Sequence, residues 1–130
     1  MMFEWQDKYA IGLEEIDNQH KRLFELANKI YDLLKNDSAD DKYDKIVDLI
    51  EELRNYTVYH FNAEEEYMES IDYMRIFSQK IAHKNFIDKI MDIDLNQIDN
   101  NQDEYLLNTL NFIVDWLVEH IIKADHRITE

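Results

Sequence analysis

The chain has no cysteine, no proline and a single glycine, Gly12. Without cysteine there are neither disulfides nor thiolate metal sites, so any bound metal must be held by imidazole, carboxylate or amide oxygen. Without proline, and with one glycine, the usual interruptions of a helix are missing, which suits long helices and predicts an all-α protein. Positive charge is also scarce. Fourteen basic residues face 29 acidic ones, a formal net charge of −15. Phosphate backbones and anionic membrane surfaces both need a positive partner, so nucleic acid and membrane are excluded as expected partners. No stretch approaches the roughly 18 apolar residues of a membrane span, and Met1 to Lys8 lack a basic segment followed by an apolar run. A soluble, cytoplasmic protein is expected.

What is present suits one bundle. At 130 residues the chain has the size of a single domain with one buried core, and 45% of it is hydrophobic. Apolar positions step by three and four through Leu13, Ile16, Leu23, Phe24, Ala27, Ile30 and Leu34, the helical period, with His20 on the same face. A second line joins Ile46, Ile50, Leu53, Thr57, His60, Glu64 and Met68; a third joins Ile76, Gln79, His83, Phe86 and Ile90; a fourth joins Leu106, Leu110, Ile113, Leu117, His120 and Ala124. The expected helices cover about residues 17–35, 41–69, 74–91 and 103–124, after an arm of residues 1–16. Polar segments at 36–41 and 92–102 and a short turn at 70–73 connect them, which gives an up-down-up-down four-helix bundle. Trp5, Ile11 and Leu13 of the arm are expected across the open end, with Gly12 permitting the bend.

Each helix therefore brings one histidine to its inward face: His20, His60, His83 and His120. Glu64 lies four residues after His60 and projects to the same side, and Asp125 follows His120 by five. A lone histidine on an apolar face is ordinarily a hydrogen-bonded core residue. Four imidazoles and two carboxylates in one core are different, because each unpaired group would cost on the order of 1–3 kcal/mol. Structural zinc sites close with four ligands, so six or seven donors fit two ions, and histidine with bridging carboxylate favours iron or manganese. The Glu-x-x-His pairs of ferritin-like centres are absent: Asp17, Thr57, Lys80 and Leu117 stand three residues before the four histidines. On a regular helix the five-residue step from His120 to Asp125 turns the second side chain by about 140° from the first. A π-type widening, or a distortion near the helix end, is expected between Leu117 and Asp125.

The segments Trp5, Ile11-Gly12, Ile16-Asp17-x-Gln19-His20, His60-Phe61-x-x-Glu64-Glu65-x-x-Met68, His83-x-x-Phe86 and Trp116-Leu117-x-x-His120-x-x-x-x-Asp125 resemble the bacterial hemerythrins along the whole chain. The resemblance implies a non-haem di-iron centre that binds dioxygen reversibly. It implies that His20 and His60 hold the iron where oxygen binds, that Glu64 and Asp125 bridge the two irons with an oxo or hydroxo group, and that His83 and His120 hold the second iron. Trp116, Leu117 and Ile121 become walls of an oxygen pocket, a role compatible with plain core packing. The family's third histidine on the second iron is replaced here by Gln79, one turn before His83. Its amide oxygen either ligates or leaves the position open to water.

His126 matches no ligand position and reads as a solvated tail residue. Glu65 and Glu66 read as a solvated face, and Tyr56, Tyr59 and Tyr67 as packing residues of the second helix. The leading expectation is a monomeric oxygen-binding protein for storage, delivery or scavenging. The alternative is a di-iron enzyme reducing hydrogen peroxide or oxygen, suggested by Gln79. A sensor would need an output domain for which a bundle of this size leaves no room.

Overall fold

Leu23, Ala27, Ile30 and Leu34 form the buried stripe of the first helix, α1 (Glu14–Lys35), none more than 6% exposed. The computed structural model describes residues 2–36, 42–95 and 103–130. The other helices are α2 (Lys42–Ser70), α3 (Ile76–Met91) and α4 (Asp103–Lys123). Among the described residues there is no strand, and no helix that is long and apolar enough to cross a membrane. The expected links at 36–41 and 92–102 lie largely outside the described residues, as does position 41.

The helices pack as the expected up-down-up-down bundle around Leu26, Ile30, Ile46, Phe61, Phe86, Leu106 and Ile121. Each such side chain, removed from water, contributes about 1.5–3 kcal/mol. This apolar column runs through all four helices. The antiparallel order sets the site's position: His20 lies near the start of α1, His60 near the end of α2, His83 in the first half of α3 and His120 near the end of α4. All four reach the same end of the bundle.

Helix termini are closed by specific contacts. At the end of α2, Tyr73 N–H donates to Met68 O and Asp72 N–H to Glu69 O, with Asp72 in the left-handed region at φ 51°. This is a Schellman closure with aspartate where glycine is usual. At the end of α3, the Arg54 guanidinium donates to Ile90 O at 2.9 Å and to Ile93 O just beyond the helix.

The arm differs from expectation. Rather than crossing the open end, it runs back along α1: Phe3 exchanges two hydrogen bonds with the Asn28 amide, and Trp5 packs on Phe24 and Tyr9. A short 3-10 turn at Asp7–Tyr9 reaches α4. The chain then turns at Gly12, whose φ of +89° suits a residue without Cβ. Helix α1 begins at Glu14, three residues before position 17, as Asp17 N–H already donates to Leu13 O at 2.8 Å. The Asp17 carboxylate in this first turn accepts from Ile11 N–H at 2.8 Å and Gly12 N–H at 3.2 Å, which fastens the arm. Asp17→Ala should lower stability by about 2–3 kcal/mol, because bonds to a charged acceptor are lost and a buried N–H is left unpaired. Amide exchange at Ile11 and Gly12 should accelerate first, and unchanged protection there would refute the fastening role.

Candidate metal centre

His20, His60, His83, Glu64, Gln79 and Asp125 are all 3% exposed or less, and His120 lies at the edge of the same cluster. Their donor atoms fall into two groups that share a carboxylate. His20, His60 and Glu64 each offer one atom within 4.8 Å of the others, and so do Glu64, His83, His120 and Asp125.

Hydrogen bonds fix which nitrogens are free. His60 Nδ1 lies 2.7 Å from Gln19 Oε1, an acceptor, so Nδ1 donates there and Nε2 is turned toward Glu64 Oε1. His83 Nδ1 donates to Glu65 Oε2 at 2.8 Å, which turns its Nε2 lone pair toward His120 Nε2 at 3.2 Å. An acceptor behind each imidazole that sets its tautomer is the usual support of a metal-bound histidine. Sequence reasoning missed this role for Gln19 and placed Glu65 on a solvated face. Glu65 is in fact 22% exposed and holds His83. The helical period marks inward positions, but Glu65 reaches sideways to α3, which only the packing reveals. Tyr56, Tyr59 and Tyr67 have no hydrogen bond to the histidines among the described residues, in keeping with packing roles.

Each carboxylate spans the two groups. Glu64 Oε1 lies 3.2 Å from His20 Nε2, while Oε2 lies 3.8 Å from His83 Nε2. Asp125 Oδ2 lies 3.2 Å from His20 and Oδ1 lies 3.3 Å from His120. Asp125 reaches this place because α4 ends at Lys123 and a 3-10 turn, Asp125–Thr129, starts after Ala124 at φ −112°. Of the two distortions expected, the structure has the one at the helix end, with no π segment among the described residues.

Burial alone would push the Glu64 carboxyl up, but His60 and His20 beside it hold it well below the usual carboxylate range. Burial also opposes a charged His20, yet hydrogen bonds and attraction from Asp125 and Glu64 outweigh it and lift the imidazole from 6.5 to about 9. His83 is pushed down, chiefly by burial, and stays neutral.

The donor set fits metal cations. Glu64 Oε2 and Gln79 Oε1 are enclosed without a hydrogen-bond partner, an arrangement that positive ions among the clustered donor atoms would relieve. Gln79 donates through Nε2 to Asp125 Oδ1 at 3.2 Å, which leaves its oxygen free as a donor atom. A metal taking His20 Nε2 must displace the proton held there. Loading metal-free protein at neutral pH should release at least one proton per chain, with affinity rising with pH and levelling above about 9. As the folded pKa of His20 is raised, its stabilising contribution to the metal-free chain is complete below 6.5 and fades toward about 9. Metal uptake without proton release would remove His20 from the ligand set.

Aromatic rings wall the cluster. Phe61 stacks on His83 at 3.9 Å, and Trp116 stacks on His120 at 4.6 Å and on Phe86 at 4.0 Å. Trp116 thus borders the His83 and His120 side, whereas Trp5 of the arm lies 6.5 Å from His20. Leu117 and Ile121 are buried in α4 at 3% and 1% exposure. His126 is not a solvated tail residue: it is half-buried with Nε2 enclosed, because the terminal 3-10 turn folds back on the bundle.

A four-helix bundle with histidines from every helix and two shared carboxylates defines a non-haem metal-binding bundle. Residues 11–129 match the family described as Hemerythrin HHE cation binding domain, and the chain belongs to the hemerythrin family. It is 47% identical over 124 residues to a bacteriohemerythrin of Clostridium acetobutylicum, covering 95% of this chain and 96% of the relative. A bacteriohemerythrin of Pseudomonas aeruginosa is 33% identical over 122 residues, covering 93% and 75% of the two chains. The crystal structure of a wild-type hemerythrin aligns over 100% of both chains with a TM-score of 0.81 at 23% identity, a likeness of fold.

Proposed function

We propose that the chain is a single-domain, non-haem di-iron protein that binds dioxygen reversibly. The observation that carries the reading is the pair of donor groups sharing Glu64 inside a buried core walled by aromatic rings. His20 and His60 would hold one iron and His83 and His120 the other, with Glu64 and Asp125, which reach both groups, as shared carboxylates. Iron bound there supplies the electrons that dioxygen takes up and returns. The protein's part is geometric and dielectric. Gln19 and Glu65 keep Nε2 of His60 and His83 aimed inward. Phe61, Trp116, Leu117 and Ile121 shield the cluster with apolar surface, which would keep water and its protons from the bound ions.

A second reading, an enzyme that reduces hydrogen peroxide or oxygen, is favoured by one observation. Where the resemblance places a third histidine, Gln79 Oε1 stands unpartnered. Elemental analysis should find two irons per chain. The visible spectrum of the reduced protein should change in air and return on removing oxygen, whereas rapid consumption of peroxide with an electron donor, and no reversible spectrum, would select the enzyme. One iron or none, with zinc in its place, would refute both.

A further inference from the structure

A pocket of about 130 Å³ opens where the first turns of α3 meet the end of α4 and the 3-10 turn after it. Buried Gln79 and half-buried His120 lie among its walls with Ala82, and Arg75, Lys123 and Arg127 also line it. Space of this size has room for several waters and suits a small ligand.

Its charge is out of keeping with the rest of the molecule. The chain carries 29 acidic residues against 14 basic ones, yet three cations and no carboxylate line this pocket among the described residues. Lys123 is partly neutralised by Glu119 at 2.8 Å. Arg75 and Arg127 are exposed and have no carboxylate partner among the described residues. Charges beyond about 8 Å are largely screened at physiological salt, so the local guanidinium groups, not the net charge, decide what enters. A second, independent feature points to a ligand here: Gln79 is 97% buried, lines the pocket and leaves Oε1 unpartnered.

We propose that this pocket is an entrance and binding site for small metal-ligating monoanions such as halide or azide, delivered to the Gln79 and His120 side of the centre. The proposal rests on the reading of the centre as a metal pair. Arg75 and Arg127 draw the anion in, Ala82 leaves the passage open, and Gln79 is the weak donor beside which it settles. Dioxygen carries no charge and gains nothing from the guanidinium groups.

The test has two arms. In the iron-loaded chain, with iron content measured for every variant, azide association is followed by visible absorption. The double variant Arg75→Glu with Arg127→Glu should slow azide binding about tenfold, with wild-type entry falling as salt rises. Ala82→Phe should slow it comparably by filling the passage. Dioxygen uptake should stay within about twofold of wild type in the double variant, as steering acts on charge. In crystals of the metal-free chain soaked in bromide, anomalous scattering should place an ion in the pocket of the wild type and none in the double variant. Azide binding that ignores both substitutions, dioxygen uptake slowed as much as azide by the charge reversal, or a wild-type pocket without bromide would each overturn the proposal. If the chain fails to take up two irons, the reading of the centre fails, and the bromide result alone decides the pocket.

Discussion

Replacing Glu64 with Ala should abolish the stabilisation that metal gives this protein. Glu64 is 1% exposed and lies against His20, His60 and His83, so it is common to both donor groups. Loss of His60 would weaken one metal position; loss of Glu64 removes a charged oxygen from both. Metal bound only by the folded chain adds about 4 kcal/mol when its concentration stands about a thousandfold above Kd. At roughly 4 °C per kcal/mol for a domain of this size, wild type should gain on the order of 15 °C in Tm on loading. Glu64→Ala should gain almost nothing and bind at most a small part of the metal by elemental analysis. Glu64→Gln keeps the volume and separates charge from packing: its metal-free form should be folded, with the His20 pKa moved from about 9 toward 6.5. A Glu64→Gln protein that holds two irons and gains the same Tm would show that the carboxylate is not a bridge.

The helical faces were legible in the sequence because apolar period and burial obey the same geometry. Ile46, Ile50, Leu53, His60, Glu64 and Met68 lie on one line in the sequence and are all buried in α2. The same period brought Gln79 and His83 inward. What escaped depends on a neighbour. Glu65 stands one position from a ligand candidate and bonds a histidine on another helix, and Gln19 stands one position before His20 yet serves His60. Periodicity assigns a face, not the partner that a long polar side chain reaches. The path of the arm was hidden for a related reason: Asn28 and Asp17 hold it through backbone groups, whose hydrogen bonds leave no mark on residue type. Asp125 was intermediate. The five-residue step required a distortion, but the sequence left open whether the helix would widen or end.

Gln79→His should add a stronger donor to the half of the centre that holds His83 and His120. In the wild type the amide already donates through Nε2 to Asp125 at 3.2 Å, and its oxygen can offer only a weaker donor than imidazole. Histidine at 79 would project from the same side of α3, one turn before His83, so the fold should be unchanged. The variant should keep its metal longer against a chelator, by about tenfold or more, the scale on which support of a metal site commonly alters affinity. It should also consume peroxide more slowly and show a longer-lived oxygenated spectrum, because external ligands lose their place beside Gln79. Two features of this prediction pull apart. If metal retention rises while peroxide turnover and oxygenated lifetime stay the same, Gln79 tunes affinity alone and the enzyme reading loses its support. If turnover falls and retention does not change, the imidazole blocks access to the pocket without ligating, which Gln79→Leu should reproduce by bulk alone. Equal retention, turnover and lifetime in both proteins would make residue 79 a spectator, with the unpartnered oxygen satisfied by water.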